Sequence, residues 1–183
     1  MTVMGGQTYS DAFIGGILRQ VTTIAMVGAS ANTVRPSYFA MKYLLGRGYR
    51  VIPVNPGKPG DTILGQTVHG ALSDIAEPVD MVDIFRPSEA VAEIVEEALS
   101  LSPLPKVIWM QIGVRDETAA ARAEAAGMKV VMNRCPKIEY GRLSGEIGWA
   151  GVNRNTLSSR KPARAGSGRQ RLDLAPTQSR PRR

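Results

Sequence analysis

The stretch Thr22-Thr23-Ile24-Ala25-Met26-Val27-Gly28-Ala29-Ser30-Ala31 decides the fold. Ile24–Val27 is a short apolar run that gives way to small residues and then reaches Arg35-Pro36-Ser37-Tyr38. Beyond Pro36, the spacing of Phe39, Met41, Tyr43, Leu44 and Leu45 predicts a helix over Ser37–Arg47, stopped by Gly46 and Gly48. Strand, small-residue turn and helix in that order form the phosphate-binding opening of a doubly wound α/β domain. Small residues are needed there because the main chain must come close to the phosphates. Free N–H groups at the helix start then point at the anion, and the helix dipole favours negative charge. Gly28, Ala29 and Ser30 are the candidate phosphate-binding residues. The turn is not a full G-x-G-x-x-G, since Ser30 and Thr33 stand where the second and third glycines would be. The simpler alternative is a tight connection with Ser30 near a helix N-cap.

Outward from this stretch, strands and helices alternate. Ser10 or Asp11 caps a short helix through Phe13, Ile14, Ile17 and Leu18 towards Val21. Arg50–Val54 reads as the second strand, with Pro53 in conflict with a regular ladder, and Asn55–Gly60 as the loop leaving it. A connection runs from Ile63 to Asp74. Asp80–Phe85 is the third strand, followed by a helix capped by Ser88 with Val91, Ile94, Val95 and Leu99 inward. Lys106–Met110 is the fourth strand, and an alanine-rich helix runs from Asp116 to Gly127. Lys129–Met132 is the fifth, ending at Asn133-Arg134-Cys135-Pro136, with Glu139-Tyr140-Gly141 closing the last turn. The expectation is a Rossmann-like, doubly wound parallel sheet of about five strands with helices on both faces. Its ligand would lie in one crevice at the carboxyl ends.

The 183 residues carry a net charge of +7, but unevenly. Residues 153–183 hold nine Lys/Arg and one acid, Asp173, so the preceding 152 residues are close to neutral. The expected organisation is a globular domain over 1–152 and a basic, disordered tail over 153–183, rich in Ser, Pro, Gly and Arg. The high pI therefore describes the tail, which leaves a weak nucleic-acid contact open, although no aromatic residue interleaves its arginines. Cys135 is the sole cysteine, so no intrachain disulfide forms. No secretion signal and no apolar run of membrane-spanning length is visible, which points to a cytoplasmic protein without a membrane partner. An exposed sheet edge leaves a homodimer open.

A dinucleotide site normally has an acid at the end of the second strand to accept the ribose hydroxyls. Here that stretch is Val54-Asn55-Pro56-Gly57-Lys58, with no acid and a lysine. A lysine suits a ribose that carries a phosphate, as in NADP or coenzyme A, and disfavours NAD.

Val27-Gly28-Ala29-Ser30 with Arg35-Pro36-Ser37, Pro53-Val54-Asn55-Pro56, Asp83-Ile84-Phe85-Arg86, Trp109-Met110-Gln111-Ile112-Gly113 and Asn133-Arg134-Cys135-Pro136-Lys137 stand in order along residues 15–150. Together they resemble the small stand-alone bacterial CoA-binding proteins, which are similar to the CoA-binding domain of the succinyl-CoA synthetase α chain. The resemblance implies a cofactor, coenzyme A or acyl-CoA, at the carboxyl end of the sheet. It implies that Gly28, Ala29 and Ser30 meet the pyrophosphate and that Arg35 closes over it. It places Asn55, Pro56 and Lys58 at the adenosine 3′-phosphate, Phe85 and Arg86 beside adenine or ribose, and Gln111, Gly113 and Asn133 along the pantetheine arm. The synthetases also need a phosphorylatable histidine in a following domain, and the only histidine here, His69, lies in the connection before the third strand.

Blander readings stand beside these. Arg86 pairs with Glu89, Trp109 is core packing, and Cys135 is a small buried side chain. The functional reading of Cys135 puts its sulfur near the pantetheine thiol, with Arg134 or Lys137 lowering its pKa. The leading expectation is a non-catalytic CoA-binding module or partner of an acyl-CoA ligase, with no catalytic residues and no metal ligands. The alternatives are an NADP-dependent reductase, for which no proton donor stands out, and a nucleotide-sensing regulator.

Overall fold

A computed structural model describes residues 8–145. The expected basic tail, and the boundary between residues 152 and 153, lie outside the described residues. The elements run α1 (Asp11–Gln20), β1 (Thr23–Val27), α2 (Pro36–Gly46), β2 (Arg50–Val54), β3 (Thr62–Ile63), β4 (Gln66–Thr67), β5 (Met81–Ile84), α3 (Val91–Leu99), β6 (Val107–Met110), α4 (Glu117–Ala125), β7 (Lys129–Val131) and α5 (Pro136–Leu143). Five strands form one parallel sheet in the order β2-β1-β5-β6-β7, and β3 and β4 make a small antiparallel hairpin. This is the doubly wound α/β architecture expected from the alternating pattern.

The strands are apolar on both sides because both sides are covered. Ile24, Met26, Val51, Met81, Val107, Trp109 and Val131 pack under α1, α2 and α5. Ala25, Val27, Val54, Val82, Ile84, Ile108, Met110 and Val130 pack under α3 and α4. Each Ile, Leu or Met fully withdrawn from water in these layers contributes about 2 kcal/mol. Trp109 is fully buried, as expected, and its Nε1–H donates to the carbonyl of Arg134 (2.8 Å), which ties β6 to the chain leaving β7.

Three local expectations are corrected. Residues 136–143 do not merely close a turn; they form α5, which begins with Pro136 at its first turn. A proline there locks a helical φ and lacks an N–H the first turn would leave free anyway. Ser88 does not cap a helix; it opens a 3-10 turn, and its Oγ accepts from the N–H of Arg115 (3.0 Å). Ser30 is not the cap of α2 either: Arg35 holds that position, and Ser30 Oγ accepts from the N–H of Asn32 (3.2 Å). The connection before β5 also carries structure, since His69 makes a parallel bridge with Val54 on the outer edge of β2. The N–H of His69 donates to Pro53 O (2.9 Å), and that of Asn55 to His69 O (2.8 Å). Pro53 thus turns its nitrogen to the sheet edge, away from β1, where the missing donor leaves the ladder intact.

Candidate functional site

β1 leads into α2 and β2 on one side, whereas β5 returns on its other side. The carboxyl ends of β1 and β5 therefore sit at the switch point where an open α/β sheet splits its connections. A cavity of about 940 Å³ opens there, within the range of nucleotide-sized sites. The loops after all five strands of the sheet reach it.

Gly28 turns the chain sharply out of β1 with φ +88°, and a Cβ there would stand 3.1 Å from the Phe85 carbonyl carbon. Only glycine lets the ends of β1 and β5 come that close. The N–H groups of Gly28 and Ala29 both donate to Val54 O, at 2.9 and 3.4 Å. They are already engaged; on this wall the N–H groups of Ser30 and Ser37 have no partner among the described residues. Asn55 braces the turn: its Nδ2 donates to Ala29 O (2.9 Å) and its Oδ1 accepts from the N–H of Gly57 (2.9 Å).

Two helices start at the cavity. α2 begins Arg35-Pro36-Ser37 with no side chain capping it, and α5 begins Cys135-Pro136-Lys137 with the Cys135 thiol facing the N–H groups of Lys137 and Ile138; each has proline in the first turn. Helices α1 and α4, by contrast, are capped by Ser10 and Asp116. An uncapped N-terminus presents open N–H groups and a partial positive charge. Arg35, Arg86 and Lys137 line the same cavity, and no Asp or Glu does. None of the three has an ion-pair partner among the described residues, so the expected Arg86–Glu89 pair does not form.

Of the thirteen residues singled out in the sequence, the fold brings Gly28, Ala29, Ser30, Arg35, Asn55, Phe85, Arg86, Gln111 and Cys135 onto one cavity wall. Pro56, Lys58, Gly113 and Asn133 are not on it. Lys58 lies on the exposed loop after β2, its Nζ 3.9 Å from Asp61. Asn133, at φ +56°, accepts from the N–H of Gly113 through Oδ1 (2.8 Å) and so ties the loops after β6 and β7 together. Cys135 is half-buried, and burial pushes its thiol up rather than down, outweighing the N–H groups of Ile138 and Lys137. The expected activation by Arg134 or Lys137 is therefore overturned.

The sequence reading missed Ser37, Phe39, Ile112, Lys137 and Ile138 as lining residues. Phe39, Ile112 and Ile138 are exposed apolar side chains, and a periodicity search assigns such residues to the core. It also missed Asp83, which is fully buried on β5 and accepts from Gln111 Nε2 (2.8 Å). Burial raises the Asp83 carboxyl to about 7 against the pull of that hydrogen bond. A charged residue in the middle of the run Met81-Val82-Asp83-Ile84-Phe85 was the available signal.

A family model described as a CoA binding domain matches residues 22–141. The chain is 35% identical over 134 residues to a Bacillus subtilis (strain 168) protein, "Uncharacterized protein YneT", spanning 73% of this chain and 96% of that one. It is similar to the solved structure of a hypothetical protein from Pyrococcus horikoshii OT3, with TM-score 0.72, 35% identity, and 79% and 100% of the two chains covered. It is also similar to part of a dinucleotide forming acetyl-coenzyme A synthetase 1 from Ca. Korarchaeum cryptofilum, with TM-score 0.54 and 25% identity over 64% of this chain and 27% of the synthetase.

Proposed function

The chain belongs to the CoA binding domain family, and on that premise we propose that the crevice holds coenzyme A or an acyl-CoA as a binding module, not as a catalyst. The observation that carries this reading is the charge of the cavity. It has three cationic side chains without carboxylate partners among the described residues, two helix starts of which that of α2 is uncapped, and no acid on its wall. Such a surface is matched to a polyanion with several phosphates. The pyrophosphate lies against the open N–H groups of Ser30 and Ser37, with Arg35 and Arg86 as its charged clamps. Phe39, Phe85 and Ile112 supply flat or apolar surface for the base and the arm. Lys58, on the loop leaving β2, reaches the ribose 3′-phosphate from outside the crevice. The likeness to part of an acetyl-coenzyme A synthetase supports a role as carrier or partner for an acyl-CoA ligase.

Calorimetry with CoA, dephospho-CoA, NADP and NAD in parallel tests this. CoA is expected to bind tightest, and Lys58→Ala is expected to remove the preference for CoA over dephospho-CoA, an effect of about threefold to tenfold for one exposed charge-assisted contact. Binding of NADP alone, without CoA, overturns the reading.

A further inference from the structure

Asp83 is buried among apolar residues at the centre of the sheet, paired in register with Met26 on β1 and Trp109 on β6. That register puts it on the face covered by α2 and α5, directly below the crevice. Its Oδ1 accepts from Gln111 Nε2, and its Oδ2 is the one buried side-chain polar atom among the described residues with no partner. The NH₂ end of the Gln111 amide is the end held against Asp83 Oδ1 (2.8 Å), an orientation that an ionised Asp83, which can only accept, enforces. The carbonyl end must then face the other way. Gln111 lines the crevice, no donor among the described residues reaches its Oε1, and that atom is not sealed from solvent. Gln111 Oε1 therefore opens into the cavity as an acceptor on a wall whose charged groups and open N–H groups are all donors.

We propose that Asp83 is a positioning residue that turns the Gln111 carbonyl oxygen into the crevice, where it accepts a hydrogen bond from a secondary amide N–H of the ligand's arm. This rests on the reading of the ligand as CoA, whose pantetheine arm carries such amides; the donors of the nucleotide half, the ribose hydroxyl and the adenine amine, are both present in adenosine 3′,5′-bisphosphate. A buried carboxyl with an unpartnered oxygen is disfavoured for stability alone. Its place beneath the crevice gives it a use.

The test measures binding of CoA and of adenosine 3′,5′-bisphosphate, which lacks the arm, to the full chain. Asp83→Leu is expected to weaken CoA about threefold to tenfold, the cost of one misdirected hydrogen bond, and to leave the bisphosphate unchanged. Asp83→Asn keeps an acceptor and is expected to retain CoA affinity. Gln111→Met is expected to lose as much as Asp83→Leu, and the double variant no more than either. Equal losses for both ligands, or additive losses in the double variant, overturn the proposal. Should Asp83→Leu fail to fold, the side-chain amide protons of Gln111 in the wild-type CoA complex decide: protection from exchange supports the proposal, and release to solvent overturns it. Wild-type protein that binds both ligands equally leaves the nucleotide reading standing and removes this inference. Wild-type protein that binds neither removes both.

Discussion

Asp80 and Asp83 lie three residues apart, one just before β5 and one within its carboxyl-terminal half, and their surroundings differ in kind. Asp80, just before β5, accepts from the N–H and Oγ1 of Thr22 (2.8 and 2.6 Å), the N–H of Thr23 (3.1 Å) and Lys106 Nζ (2.7 Å). Desolvation pushes its carboxyl up, but the Lys106 ammonium and the Thr22 and Thr23 donors together hold it well below the ordinary range. Asp83 has one donor, an oxygen with none, and a raised pKa. The same division runs through the rest of the molecule. At the amino ends of the strands, polar groups satisfy one another. At the carboxyl ends, the crevice cations Arg35, Arg86 and Lys137 lack carboxylates among the described residues, α2 lacks a cap, and the N–H groups of Ser30 and Ser37 stay open. Unsatisfied polar groups collected at one end of a well-packed sheet mark the surface that meets a ligand.

The sharpest way to separate the two aspartates is pH. The Asp83 proton is held more tightly in the folded chain, at about 7, than at its ordinary value of 3.8. Between those values the folded state binds more protons, so its stabilising effect is full at low pH and is lost as pH rises to about 7. Chemical denaturation is expected to show wild type losing about 3 to 4 kcal/mol relative to Asp83→Asn between pH 4 and 8. A difference that does not change with pH would make the two ends alike.

Next in size is the removal of the unpartnered cations. Arg86→Ala with Lys137→Ala is expected to weaken CoA about a hundredfold and flatten the salt dependence of binding, at roughly one charge-assisted contact per residue. The unfolding midpoint should stay put, since neither cation is ion-paired in the fold. A fall in that midpoint without loss of binding would place these residues in the scaffold.

The smallest effect belongs to the closed end. Asp80→Ala is expected to cost about 2 kcal/mol of stability at neutral pH and leave CoA affinity unchanged. The wild-type advantage should fade as pH drops below about 4, because there the unfolded chain takes up the proton first. Loss of ligand affinity in Asp80→Ala would break the division between the ends.

Much of the fold was legible because strand and helix signals are local. The runs Ile24–Val27, Asp80–Phe85 and Lys106–Met110 are apolar on both sides, which marks strands sandwiched between helices. Gly28 was legible as the turn, although the reason only glycine fits is the Phe85 backbone, far along the chain. Helix α5 was hidden because Pro136 reads as a terminator when no helix is known to follow, and Cys135 is not a capping residue type. His69 was hidden as a sheet neighbour because a single bridge has no periodicity. Phe39, Ile112 and Ile138 carry no local mark that separates a crevice wall from a core.

The amino-acid sequence by itself determined the parallel α/β architecture, the positions of the five strands, the small-residue turn after the first and the family resemblance. These depend on hydrophobic period, glycine and proline, all properties of neighbours in sequence. The tertiary structure decided which N–H groups stay open, which cations go unpaired, and that a buried aspartate supports Gln111 from below. Those depend on which atoms of distant segments meet, and hydrogen-bond partners across a sheet are set by register and packing that no short stretch of chain contains.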